Sequence, residues 1–419
     1  MATISRATPQ SSLAGMQRLS LIVGGLGLLL TVIGYFVVGS VQFYQSWLFA
    51  FIFWTAVALG SLMLLMINHL TDGVWGLMIR RFLECGTRTL MLMSILFLPI
   101  ILGMRDIYPW MDAKVQANPV VAAKLPYLNT PGFIGRSLLM LGIWVLLQYL
   151  FNKWSSQEDA GDTKATGKMK AMAGPGIVIF TLTWMLAATD WGMSLEPTWF
   201  SSMYPVSFIP SMVLLSFCGS VLLLNLLNSR KLLPFSIPVD RLHDLGKFMF
   251  AFIILWTYVN FSEYLIIWSG NIPDEAEWYM HRLDYGWQYL AIINIFGHFF
   301  VPFFLLLSRH PKRNINVLSG ISIYIIVIEL LWYFWKVVPS FHPESFQLSW
   351  TDVSAWIGMG GLWMAFFFYN LAQRPILAPN DPRVPKLMKQ IGGGDGHSHG
   401  AGTGTDHNGP AGYPEAAHN

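Results

Sequence analysis

The stretch KFMFAFIILWTYVNFSEYLIIWS (residues 247–269) holds two formally charged residues, Lys247 at its start and Glu263 well inside. About 20 mainly apolar residues in an α-helix cross the roughly 30 Å hydrocarbon core of a bilayer, so this stretch reads as a membrane span. Two more follow. WQYLAIINIFGHFFVPFFLLL (287–307) carries His298, and VLSGISIYIIVIELLWYFWKV (317–337) carries Glu329. A charge at mid-membrane costs at least about 2.5 kcal/mol, so such groups usually face a bundle interior and serve ion or proton movement. The chain reads as built around a buried titratable cluster.

Working outward, the same length criterion gives ten spans: 19–39, 44–68, 82–104, 133–152, 176–194, 205–226, 247–269, 287–307, 317–337 and 353–372. The whole chain agrees, with 54% hydrophobic and 12% charged residues and a mean hydropathy of +0.49, against about 25% charged in a soluble domain. The expected class is an all-α polytopic membrane protein. Even spacing, and an echo between GSLMLLMIN (60–68) and GSVLLLNLLN (219–228), suggest two four-helix bundles over about 44–194 and 205–337, with spans 1 and 10 peripheral. Close helix packing at Gly-Ser pairs explains the echo equally well.

Lys and Arg gather on the cytoplasmic side of short loops. With the N-terminus inside, 20 of the 26 Lys and Arg residues fall on the inner side, and the outer loop at 270–285 is acidic (Asp274, Glu275, Glu277, Asp284). Residues 1–18 and 373–419 are then cytoplasmic segments and both termini are inside. The N-terminus is polar and leads directly into a span too long for a signal peptide, so no cleavable signal is expected. The tail beyond about 375, rich in Gly, His and Asn, is expected to be disordered. Its His397, His399, His407 and His418 have no spacing that fixes a coordination geometry. No basic cluster with interleaved aromatic residues points to nucleic acid.

Cys85 and Cys218 are far apart and form no CxxC, so iron–sulfur ligation and c-type haem attachment are not expected of this chain alone. Bis-histidine haem needs two mid-depth histidines, and only His298 qualifies: His69 and His243 lie at inner ends and His281 in an outer loop. No metal site is expected.

Depth sorts the remaining candidates. His69, Asp72, Glu84 and Asp244 lie near the inner face, His298 and Glu329 at mid-depth, and Asp190, Glu196, Glu263 and Arg136 toward the outer face. Ionisable groups at graded depth suit a proton path, since carboxylates and imidazoles exchange protons through short water chains. The structural alternative is interhelical pairing, with Glu263 or Glu329 held neutral or paired to Arg136 or Lys336. Arg136, Tyr264 and Trp191 are candidates for quinone contact or for structural roles. Arg80, Arg81, Glu84 and Arg88 permit Arg80–Glu84 and Glu84–Arg88 pairs on a helix starting near Val74. They read as an anchoring face or as a proton entrance. Trp47, Trp75, Trp110, Trp191, Trp199, Trp278 and Trp287 are expected as interface anchors.

Three segments carry a family resemblance: DWGMSLEPTWFSSMY (190–204), HDLGKFMFAFIILWTYVNFSEYLIIWSGNIPDEAEWYMHR (243–282) and GHFFVPFFLLLSRHPKR (297–313). They resemble the large membrane subunits of bacterial alternative complex III, a quinol:cytochrome c oxidoreductase, the F-type subunit more than the C-type. More distantly, they resemble the NrfD-like membrane subunit of polysulfide reductase. The resemblance implies an inner-membrane electron-transport complex with a paired C-type subunit, an iron–sulfur subunit, multihaem c-type cytochromes and small membrane subunits. Haems and iron–sulfur clusters would sit on those partners, and quinol would be oxidised mainly at the C-type subunit, leaving this chain a proton path, a second, degenerate site for menaquinone or another quinone, or both. By motif position, Asp190, Glu196, Glu263 and His298 inherit proposed proton-route roles, whereas Glu329 rests on depth alone. The rival readings are a stand-alone secondary transporter and a purely structural scaffold.

Overall fold

The computed structural model describes residues 10–392; residues 1–9 and the Gly/His-rich stretch with its four histidines lie outside the described residues. The protein is all-α, and ten of its helices are long and apolar enough to cross a membrane. They are α1 (Gln10–Val37), α2 (Ser40–Thr71), α3 (Arg80–Leu96), α4 (Thr130–Asp159), α5 (Lys164–Trp191), α6 (Met203–Ser229), α7 (Val239–Gly270), α8 (Trp287–Leu307), α9 (Ile315–Val337) and α10 (Trp350–Ala372). A short helix, α11 (Val384–Gly392), follows. Ten crossings return the chain to the side where α1 begins, here called the near side. The opposite side is the far side.

Burial identifies the centre. In the most apolar window, 83% of α2 and 78% of α6 are buried, against 22% of α1. α2 packs on α3 and α5, and α4 on α3 and α5; α6 packs on α7 and α9, and both of these contact α8. The two groups join along α2 and α6. At Gly60 a Cβ would lie 1.9 Å from the Met212 carbonyl oxygen, so only glycine allows this approach. The other half of the sequence echo, Gly219, meets open space, so the two Gly-Ser pairs are not equivalent in packing. α1 and α10 pair tightly where Gly27 meets Gly358, and the Thr31 and Ser354 hydroxyls lie 3.0 Å apart. α10 also packs on α2 and α3, whereas α1 keeps most of its surface outward.

α8 is not uniform. Between α-helical turns, residues Asn294–Phe300 wind as a π-helix, a rare local widening that often accompanies functional positions. It carries Asn294 and His298.

Several expectations from sequence need correction. The segment between the expected spans 133–152 and 176–194 is mostly helix, because α4 runs to Asp159 and α5 starts at Lys164. The seven tryptophans expected as interface anchors are all buried, and Trp110, Trp191, Trp278 and Trp287 are essentially inaccessible. The indole N–H groups of Trp47, Trp110, Trp191, Trp199 and Trp287 bond inside the protein, Trp47 to the Leu96 carbonyl at 2.9 Å and Trp287 to the His342 carbonyl at 3.0 Å. Nor is the whole C-terminal tail unstructured. Ile376, Leu377 and Ala378 are buried, as is Leu387 on α11; a short apolar patch too small to read as a core by itself finds its core in the helices already there.

Candidate functional site

The titratable residues gather in tiers within the second helix group, and α9 supplies the register. Glu329 and Lys336 are seven residues apart, two helical turns or about 10 Å along the axis, so they lie on one face with Trp332 between. On α7, Trp256 and Glu263 have the same seven-residue separation. Each tier therefore takes one residue from each helix.

The middle tier is a pair: His298 Nε2 lies 2.9 Å from Glu329 Oε1. The other carboxylate oxygen accepts from the Ser211 hydroxyl at 2.6 Å, and the Ser211 hydroxyl reaches the Tyr333 hydroxyl at 3.2 Å. Trp256 stacks on the imidazole with 3.5 Å between ring centroids. Among the described residues, His298 Nδ1, both amide atoms of Asn294 and Trp256 Nε1 have no hydrogen-bond partner. Buried polar groups nearly always bond to protein or to ordered water, so these atoms are left to ordered water inside the bundle.

The next tier toward the far side holds Glu263. Its Oε2 accepts from Lys336 Nζ at 2.9 Å and its Oε1 from the Ser201 hydroxyl at 2.9 Å. Lys336 Nζ sits 5.0 Å from the Tyr204 ring centre and 4.9 Å from that of Trp278, which adds cation–π attraction. The far-side cap comes last. Glu196 accepts from Arg282 at 2.8 Å and from Ser340 at 2.6 Å, with His281 Nδ1 at 3.7 Å. Arg282 also donates to the Lys336 carbonyl at 3.1 Å, which ties the cap to the tier below. Burial alone would raise the Glu196 carboxyl, but Arg282, with the nearby His281 and the hydrogen bond from Ser340, holds it down at about 2. The nearby Glu196 carboxylate in turn raises His281 above its ordinary value.

The remaining candidates lie apart from these tiers. Asp190 is fully buried in a two-pronged pair with Arg136, at 2.8 and 3.0 Å, and the guanidinium stacks 3.8 Å over Tyr127. Trp191 donates to Ser137 at 3.0 Å inside an aromatic cluster. Tyr264 is partly exposed on the other group and touches Tyr279. Arg136 and Trp191 thus lie in the first helix group with their side-chain nitrogens hydrogen-bonded, and Tyr264 lies in the second. Asp244 pairs with Arg241 at 2.7 Å and Lys247 at 3.4 Å on an open surface. Asp72 pairs with Lys170 at 2.6 Å, both exposed. His69 is buried against Phe151 with Nε2 unpartnered.

Glu84 sits in a separate near-side network. It accepts from Arg80 at 2.8 Å, Arg81 at 2.6 Å and Ser155 at 2.7 Å, with Arg374 at 3.4 Å. Arg80 also meets Glu158 and Asp381, at 2.6 and 2.5 Å, Arg81 meets Asp159, and Arg383 holds Asp381 at 2.7 Å. Four arginines thus face four carboxylates. The Glu84–Arg88 pair expected from spacing does not form: Arg88 bonds to Asn152 and Asn370.

Sequence reasoning missed Trp256, Asn294, Ser211, Ser201 and Arg282. The signal was available in part: Trp256 stands seven residues before Glu263, and Asn294 four before His298. Among the described residues, no three His, Cys, Asp or Glu side chains come together as a metal site requires. Compared with known proteins, the chain matches no family model and no curated sequence.

Proposed function

We propose that the chain is the F-type large membrane subunit of a quinol:cytochrome c oxidoreductase of the alternative complex III kind, or of a relative serving another periplasmic acceptor, and that it contributes a proton path. One observation supports this above others. The three segments that carry the resemblance, far apart in sequence, meet in the tiers: Glu196 and Ser201 of the first touch Arg282 and Glu263 of the second, and Trp256 of the second stacks on His298 of the third.

In this reading the near side is cytoplasmic and the membrane is the bacterial inner membrane. The subunit is not catalytic alone. Quinol is oxidised in the paired C-type subunit, and electrons pass to iron–sulfur and multihaem partners. The proton-handling pair is His298 and Glu329, since the imidazole has an uncommitted nitrogen beside other unpartnered polar atoms. Glu263 and Lys336 form the next station, Glu196 borders the exit with Asp190 on the same side in the other helix group, and near-side access runs past the half-buried Asp244 rather than through Glu84.

The scaffold reading draws on a specific fact: Asp190, Glu196 and Glu263 each face a cation. The whole complex carrying Glu329→Gln or His298→Phe, reconstituted in liposomes, separates the two. The proton-path reading expects assembly with fewer protons moved per electron. Full stoichiometry in assembled variants would leave the scaffold reading standing.

A further inference from the structure

We propose a second, independent site: the near-side pocket between α3, α4 and α10 binds the phosphate of an anionic phospholipid. The pocket is open, with a volume of about 640 Å³; its polar wall includes Arg88, Lys153 and Arg374, and its apolar wall Met91, Tyr149 and Phe366.

Charge is the first argument. Arg88 donates to Asn152 at 2.8 Å and Asn370 at 3.1 Å, both neutral, and among the described residues it has no carboxylate within ion-pair distance. Arg374 has Glu84 at 3.4 Å, a carboxylate already held by Arg81 at 2.6 Å. Lys153 is exposed and stands 5.8 Å from the Tyr149 ring centre. Of these three cations, among the described residues, only Arg374 has a carboxylate within ion-pair distance, and that carboxylate, Glu84, is already held by Arg80 and Arg81. Guanidinium groups fixed by neutral side chains are well arranged for phosphate oxygens.

Depth is the second argument. Arg88 stands about two turns into α3, Lys153 lies six residues before the end of α4, and Arg374 lies just beyond α10. This is headgroup level at one membrane face, where basic pockets between helices bind anionic lipid headgroups. Met91 and Tyr149 are half exposed and provide an apolar wall for an acyl chain. A soluble anion would use only the charged wall.

The test uses the full chain in mild detergent. Native mass spectrometry and thermal unfolding are followed with phosphatidylglycerol, with phosphatidylcholine and with inorganic phosphate. Saturable retention of phosphatidylglycerol with a raised unfolding temperature, and no effect of the other two, is expected. Lys153→Gln, on the exposed face of α4, and Arg88→Gln should each weaken retention about tenfold, the scale of one charge-assisted contact. Equal retention of phosphatidylcholine, an equal effect of inorganic phosphate, or unchanged retention by Lys153→Gln overturns the proposal. So does a neighbouring subunit's polypeptide seated in the pocket of the assembled complex.

Discussion

The near-side network around Glu84 and the mid-membrane pair His298–Glu329 both bury charge-capable side chains, yet they are built to opposite plans. In the network, four arginines face four carboxylates, and Ser155 completes the shell of Glu84. It joins α3 and α4 to the segment after α10, and there is little room for a proton to change hands. The middle tier leaves His298 Nδ1, Asn294 and Trp256 Nε1 without protein partners, and its His298 and Asn294 lie on a π-helical turn. A saturated charge cluster holds helices together, whereas an unsaturated titratable pair on a widened helix can exchange protons.

The largest effect should come from opening the saturated cluster. Glu84→Gln leaves Arg80 and Arg81 without their shared carboxylate, and losing one partner of a buried ion pair costs about 3–5 kcal/mol. Thermal unfolding in detergent should show a large drop. Unchanged stability would mean that the network does not staple the C-terminal segment. Next comes Glu263→Gln, which leaves Lys336 buried without a counter-charge and should also destabilise, though Ser201 can still bond the amide. Since replacing both members of a buried pair is often neutral, adding Lys336→Met should restore most of the loss. A double variant no more stable than Glu263→Gln alone would show that the pair contributes nothing specific.

The ten crossings were legible because hydrocarbon thickness fixes span length: the 287–307 span is α8 to the residue, and most others differ only by polar turns that extend past the bilayer. The carboxylates and His298 were legible for the same reason, as isolated polar residues in long apolar runs. Their partners were not. Arg282 sits in an acidic segment whose helical tuck beneath α9 is a tertiary fact, and Asp381 and Arg383 gain meaning only once the chain returns to Arg80. Tryptophans at span ends looked like lipid anchors because depth is readable from sequence, but which way a side chain faces is set by the neighbouring helices.

Smaller in stability, but decisive for the comparison, are changes to the middle tier. Glu329→Gln keeps a shape that can still accept from Ser211, and removes only the titratable group. Unfolding temperature should shift far less than for Glu84→Gln, while proton movement per electron in the reconstituted complex falls. A large stability loss with unchanged proton movement would put His298–Glu329 in the same class as the near-side network.

The smallest effect at neutral pH concerns the far-side cap, where the Glu196 carboxyl is ionised in the native state. Arg282 and its neighbours hold the Glu196 carboxyl at about 2, below the ordinary 4.5. A depressed carboxyl contributes stability above its unfolded value, and that contribution is lost as pH falls from about 4.5 through about 2. His281 has the opposite sign. The nearby Glu196 carboxylate, 3.7 Å from Nδ1, raises it above 6.5, so its contribution is complete below 6.5 and fades as pH rises through the higher value. The cap should therefore be firmest between about pH 4.5 and 6.5. Unfolding temperature against pH in detergent should fall on the acid side, and Glu196→Gln should flatten that fall and also remove the weaker decline above 6.5. If the two profiles run parallel across both limbs, the ionisation of Glu196 does not hold the cap, and the hydrogen bonds of Arg282 to Trp278, Lys336 and Ser340 do.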